Sequence, residues 1–185
     1  MQLLRTTQNI IYMKHTKLIL FAAALLIAAA ACNKSSNKEH LMPGEQLPLF
    51  HTYTLFEGRN ISMKDLLGRP SVIIHFNTYC PDCKLQLPEV EQAYREFKDY
   101  AAFLAIARDE DAEDVRAYWA AEGYTLPVAA PDGRAIFNLF DRGSESGVPQ
   151  VYLSTPDGTV FAYADDKNPM TKEQIEQRII YYINK

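Results

Sequence analysis

The sequence predicts an α/β domain over residues 47–185: a central mixed β-sheet flanked by helices, with an N-terminal β-hairpin in front of it. Three features carry that prediction. Two nearly continuous apolar runs, residues 71–76 and 101–107, have the composition of central strands covered on both faces. Each is followed by a helix-like stretch, so these strands should run parallel and be joined by right-handed crossovers. Pro156-Asp157-Gly158 then turns the chain between two further strands and adds an antiparallel pair.

The elements follow in order. Residues 49–55 alternate in the β manner, and Glu57-Gly58-Arg59-Asn60 supplies a hairpin turn. Ser62 caps a short helix over residues 63–67, which Gly68 stops. A helix over residues 81–99 turns Leu85, Val90, Tyr94 and Phe97 inward, and Pro88 should kink it. A second helix covers residues 111–122 and ends at Gly123. Pro131-Asp132-Gly133 leads into a short helix through Phe140. Residues 150–153 and 159–163 are the closing strands. The last helix covers residues 171–183, with Ile175, Ile179 and either Ile180 or Tyr182 facing in.

The chain has 185 residues, 48% of them apolar and 23% charged, which is the composition of an ordinary globular protein. Its first 31 residues form a leader: three basic residues (Arg5, Lys14, Lys17), no acidic ones, and a 14-residue apolar run, residues 18–31, that ends in alanines. Those are the parts of a secretory signal peptide, and the run is shorter than the roughly 18 residues a membrane span needs. Met13 begins a tidier leader than Met1. The remaining 154 residues carry 16 basic and 23 acidic side chains, a net charge of −7, which argues against a nucleic-acid partner.

Ala29-Ala30-Ala31-Cys32 resembles the lipobox of bacterial lipoproteins, although alanine replaces the commoner leucine at its first position. That resemblance implies acylation of Cys32 and attachment to a lipid bilayer; simple cleavage near Ala31, leaving an incidental thiol, is the alternative. Residues 32–46, polar and broken by Pro43-Gly44, read as a flexible tether. The expected location is extracytoplasmic, on the periplasmic side of a membrane.

Cys80-Pro81-Asp82-Cys83 stands where a buried strand hands over to a helix. Cysteines three apart on a first helical turn are neighbours at disulfide spacing, so a bond between them can open and close with little backbone movement. Cys80 falls at the helix N-terminus, where free amides and the macrodipole favour a thiolate, and Pro81 suits the first helical position. Cys80 is therefore the nucleophile and Cys83, one turn in and facing the core, the resolving thiol. A structural disulfide would restrain little chain across so short a loop. A zinc or copper site lacks ligands, since His15, His40, His51 and His75 all precede the motif and there is no second CxxC, so no metal is expected. A pair of plain core cysteines conflicts with the polar turn between them. Gly147-Val148-Pro149 precedes a strand. Its proline can sit in trans at a sheet edge. Alternatively, a cis Val148–Pro149 bond turns the Val148 backbone toward the CxxC, to pair with an extended substrate segment.

The run Asn77-Thr78-Tyr79-Cys80-Pro81-Asp82-Cys83, the upstream Ile61-Ser62-Met63-Lys64-Asp65-Leu66-Leu67-Gly68-Arg69-Pro70, and the downstream Gly147-Val148-Pro149 and Pro156-Asp157-Gly158 together resemble the TlpA/ResA type of thioredoxin-fold thiol-disulfide oxidoreductases. The resemblance covers residues 45–185. It implies a thioredoxin fold, an attacking Cys80, a resolving Cys83, a cis Pro149, and a surface of Tyr79, Pro81, Val148 and Pro149 that receives the substrate. It further implies a redox-active Cys80–Cys83 disulfide with no dissociable cofactor, protein thiols and disulfides as substrates, and a redox partner protein, with a membrane-bound one among the candidates. Three positions depart from the pattern. Tyr79 replaces a tryptophan, and Ile74 and Gln86 occupy the two places where relatives carry the polar or acidic residue that takes the proton of the resolving thiol. Asp82 or water is left for that role. An anion at Asp82 also disfavours the Cys80 thiolate, which points to a reductant or isomerase.

Two other functions compete. A thiol peroxidase carries threonine or serine three residues before its cysteine and proline four residues earlier still; Cys80 has Asn77 and Ile73 there, and Cys83 has Cys80 and Phe76. A non-catalytic thioredoxin-fold binding module would leave the CxxC idle. Tyr118 and Trp119 read as core, His75 as a hydrogen-bonded interior residue, Tyr181-Tyr182 as closing the last helix on the sheet. The acidic run Asp109-Glu110-Asp111 with Glu113-Asp114 reads as a solvated helix start, with calcium as the other reading.

Overall fold

The computed structural model describes residues 40–142 and 146–184. The leader and Cys32 lie outside the described residues. Strands β1 (His51–Tyr53) and β2 (Asn60–Ser62) form the N-terminal hairpin. A 3-10 turn over Met63–Leu66 follows, its start held by the Asp65 carboxylate, which accepts from the Ser62 N–H (2.7 Å) and hydroxyl (2.6 Å). The main sheet has the order β5-β4-β3-β6-β7. Central β3 (Ser71–Phe76) runs parallel to β4 (Ala102–Ala107) and antiparallel to β6 (Gln150–Ser154), and β7 (Val160–Asp165) closes the antiparallel side.

The helices are α1 (Pro81–Phe97), α2 (Ala112–Glu122), α3 (Gly133–Asp141) and α4 (Lys172–Ile183). One face of β3 packs Val72, Ile74 and Phe76 with Leu87 and Val90 of α1, Trp119 of α2, and Ile175 and Ile179 of α4. Ile73 on the other face joins Ile136 and Phe140 of α3, Tyr152, and the N-terminal Leu41, Leu47 and Phe50. Alternate residues of a strand point to opposite faces, so an uninterrupted apolar strand needs both covers. Trp119 is core, its indole N–H donating to the Leu126 carbonyl at 2.8 Å.

Several expectations change. Residues 41–46, assigned to the tether, lie on the domain: Leu41 is 2% exposed, its N–H donates to the Phe140 carbonyl, and Glu45 and Gly44 bond the backbone of Val160. An apolar Leu41 within a polar stretch was the sign of it. The edge strand β5 (Val128–Ala129) was not foreseen, being only two residues long. Leu85 is 72% exposed rather than inward, because the buried stripe of α1 runs through Cys83, Leu87 and Val90. Of the last-helix alternatives, Ile180 is exposed, and Tyr182 packs against Phe161 in a tilted pair, 4.2 Å between ring centroids. Among the described residues no helix is long and apolar enough to cross a membrane.

His75 is buried but not hydrogen-bonded. Neither ring nitrogen has a partner among the described residues, and the ring sits edge-on to Phe137, Phe140 and Tyr152. Burial first, and the Arg108 charge second, lower its pKa to about 3. The unfolded chain therefore binds a proton at His75 that the folded one refuses between about pH 6.5 and pH 3. Stability should fall as pH falls through that window, by up to about 5 kcal/mol from this group. Denaturant unfolding of wild type and His75→Leu across that range tests it: the wild-type decline is expected to be steeper, and parallel declines would remove His75 as the cause.

Candidate functional site

The site forms where β3 ends. The Asn77–Cys80 turn is closed by the Cys80 N–H on the Asn77 carbonyl (3.2 Å), and the Tyr79 N–H bonds the Asn77 side-chain oxygen at 2.9 Å. Such local side-chain bonds are what asparagine contributes to turns. Helix α1 starts immediately after it, with Cys80 as N-cap and Pro81 in the first turn, where a missing amide costs nothing.

Cys80 is partly exposed and Cys83 is 0% exposed; both are free thiols in this structure. The Cys80 sulfur lies 3.4 Å from the Cys83 N–H, which donates to it, and 3.1 Å from the Val148 carbonyl, which it reaches as a donor. The Val148–Pro149 bond is cis. Burial pushes the Cys83 thiol strongly up, and its hydrogen bond to Cys80 pushes the same way, while the Asn77 backbone N–H opposes them. The two sulfurs thus differ in kind. The outer one is reachable and faces a helix N-terminus, and the inner one keeps its proton.

Tyr79 is 74% exposed beside Cys80, and Val148 is 8% exposed across from it. Pro81 and Asp82 are exposed on the first turn of α1, with Asp82 close enough for its charge to oppose ionisation of Cys83. Cys80, Cys83, Tyr79, Pro81, Val148 and Pro149 therefore surround one exposed corner, while Cys32 lies outside the described residues. Among the described residues no group of three or more His, Cys, Asp or Glu side chains is arranged to hold a metal.

Gln86 has a structural task. Buried one turn below Cys83, its amide donates to the Met170 carbonyl at 2.7 Å, and its oxygen accepts from the Met170 N–H at 2.9 Å. A carboxylate at this position would be able to make only the second bond. Ile74 is fully buried among apolar side chains.

One contributor escaped the sequence reading. Glu110, assigned to a solvated helix start, accepts the Thr78 N–H at 2.8 Å and the Thr78 hydroxyl through its other oxygen. It lies 32 residues from Thr78, with no local pattern to join them.

A family model for AhpC/TSA matches residues 43–163. The chain belongs to the AhpC/TSA family. It is also similar to proteins named thiol-disulfide oxidoreductase ResA. One, from Bacillus thuringiensis (strain Al Hakam), is 28% identical over 171 residues, which covers 89% of this chain and 95% of the relative. Another, from Bacillus subtilis (strain 168), is 25% identical over 126 residues, 68% of each. Among solved structures, the thiol:disulfide interchange protein of the thioredoxin family from Chlorobium tepidum TLS superposes with a TM-score of 0.64 at 23% identity, covering 77% of this chain and 97% of its own. The thioredoxin domain of thiol-disulfide oxidoreductase BVU-2223 from Bacteroides vulgatus gives a TM-score of 0.65 at 17% identity, covering 78% and 99%. This AhpC/TSA member has the thioredoxin fold with an added N-terminal hairpin, and the resemblance drawn from its motifs holds.

Replacing Gln86 by leucine should strand the Met170 N–H and carbonyl and cost about 2–3 kcal/mol. Disulfide reduction per folded molecule is expected to be unchanged. Chemical denaturation paired with an insulin-reduction assay checks both, and activity lost at retained stability would make Gln86 a participant in the chemistry.

Proposed function

We propose that this chain is a thiol-disulfide oxidoreductase that exchanges disulfides with partner proteins through Cys80 and Cys83, working as a reductase or isomerase on the extracytoplasmic side of a membrane. The observation that carries the proposal is the placement of the Cys80 sulfur between the α1 N-terminus and the Val148 carbonyl, with Cys83 buried behind it. The names of the similar proteins support the same chemistry.

The reaction needs no dissociable cofactor. The Cys80 thiolate attacks one sulfur of the partner's disulfide; a Cys80–partner bond forms, the partner's own bond breaks, and its second sulfur departs as a thiolate. Cys83 then yields its proton to that thiolate and attacks the Cys80 sulfur. The Cys80–Cys83 bond forms, the mixed disulfide breaks, and the remaining partner sulfur leaves and is protonated from water. The partner has gained two electrons and two protons, and the cysteine pair has been oxidised. With Ile74 apolar and Gln86 occupied at Met170, the partner's thiolate takes the place of a built-in carboxylate base.

An extended partner segment bearing the target disulfide lies along Val148, whose backbone offers strand-like hydrogen bonds, while Tyr79 and Pro81 cover its apolar flank. The Asp82 charge opposes ionisation of the Cys83 thiol, which supports giving electrons away rather than holding them. A redox partner protein resupplies them. Acylated Cys32 tethers the domain to the bilayer, as two or more chains can do stably. A peroxidase reading is not favoured by any contact at the site, since Cys80 lacks the threonine or serine of that chemistry.

In an insulin-reduction assay Cys80→Ser is expected to fall to background, and Cys83→Ser to accumulate a mixed disulfide with the substrate. Peroxide consumption that persists while insulin stays oxidised would favour the peroxidase alternative instead. Cell fractionation reads the anchor separately: wild type should pellet with membranes and Cys32→Ala should become soluble, and a variant that still pellets would refute acylation there.

A further inference from the structure

We propose that Glu110 is a positioning residue for Cys80, acting through Thr78, a role that rests on the reading of Cys80 as the attacking thiol. Of the Thr78, Tyr79 and Cys80 backbone amides in the turn that presents Cys80, that of Thr78 has no partner inside the turn. The Tyr79 amide goes to the Asn77 side chain and the Cys80 amide to the Asn77 carbonyl. Glu110 supplies the missing acceptor for the Thr78 amide, and its second oxygen takes the Thr78 hydroxyl, so one carboxylate fixes both the backbone and the χ1 angle of a residue that is only 6% exposed. Two residues later the Cys80 sulfur must lie within hydrogen-bond reach of both the Cys83 N–H and the Val148 carbonyl. An unfixed turn would spread that sulfur over several positions.

The segment that carries Glu110 is itself held. Asp109 has φ 61°, in the left-handed region, which reverses the chain between Arg108 and Glu110. Its carboxylate is gripped by Arg134 of α3 through Nε at 2.6 Å and also through Nη2. Gly133 lets α3 come this close, since a Cβ there would stand 1.8 Å from the Ala107 carbonyl oxygen. On the near side, Arg108 accepts the Asn77 side-chain amide on its carbonyl at 3.3 Å and donates from its guanidinium to the Ser146 carbonyl at 3.1 Å. Residues 108–110 thus touch both chains that face each other across the site, the Cys80 turn and the segment leading to Val148.

The test is the rate at which Cys80 is alkylated by iodoacetamide in the reduced full-length chain, followed by peptide mass spectrometry, together with its rate of reaction with the small disulfide DTNB. Glu110→Ala should slow both by roughly tenfold or more. Glu110→Gln keeps an acceptor for the amide and a partner for the hydroxyl, and is expected to stay within about threefold of wild type. Thr78→Val should lose part of the rate, and the Glu110→Ala, Thr78→Val pair together should be no slower than Glu110→Ala alone. Glu113→Gln, an exposed carboxylate three residues on in the first turn of α2, serves as the control and should react like wild type. Should Glu110→Ala fail to fold, Thr78→Val and Glu110→Gln still decide, because a Gln variant as slow as expected for Ala, or a Val variant at full rate, overturns the proposal, as do additive losses in the pair. A wild-type Cys80 inert to both reagents would instead overturn the functional reading on which the proposal stands.

Discussion

The outer sulfur of the CxxC pair is held in one place by contacts from two unrelated parts of the chain, the first turn of α1 and the Val148 carbonyl before β6. Most of the fold can be understood as what keeps those two parts facing each other. Register does the first half. His75 pairs with Gln150 across the antiparallel β3–β6 ladder, so the end of β3 that leads into Cys80 and the start of β6 that follows Pro149 lie at the same edge of the sheet. A one-residue slip would send alternate side chains of β3 to the wrong layer, and the two-sided core forbids it.

The second half is polar. Glu110 and Arg108 reach opposite sides of the site from the turn after β4, and Gln86 ties α1 to the segment preceding α4. These are side chain to backbone bonds, each worth about 1 kcal/mol in net stability but costly to leave unmade in the interior. Their contribution is geometric definition more than binding energy. The acidic surplus of the domain is arranged in the same way. Asp109 and Glu110 are tied to Arg134 and Thr78, so a run of charge that looks solvated in the sequence is partly structural.

Much of this was legible in the sequence. Apolar runs of six or seven residues bounded by turn signals have the length and composition of strands covered on both faces, and Pro81 marks the CxxC after the first of them as a helix start. Turn chemistry at Gly123 and Pro156-Asp157-Gly158 placed the remaining boundaries. What escaped has a common cause. β5 is two residues long and exists because β4 offers it an edge, Leu41 packs on α3 from far away in sequence, and Leu85 faces outward because the stripe of α1 is set by what the sheet and α4 bury. Glu110 belongs with these, because a carboxylate in an acidic run looks the same whether water or a threonine 32 residues away satisfies it. His75 escaped in the opposite sense: a buried imidazole ordinarily finds a partner, and this one is surrounded by three aromatic rings.

An exposed sulfur beside a buried, proton-retaining one is useful only if the two can join and part. Equilibrating the reduced chain in glutathione buffers spanning reducing to oxidising ratios, and quantifying the Cys80–Cys83 bond by mass spectrometry after acid quenching, addresses this directly. A reversible intramolecular disulfide is expected, its fraction following the buffer ratio along a two-electron curve. Thiols that stay separate at every ratio, or a bond that forms once and resists reduction, would contradict it.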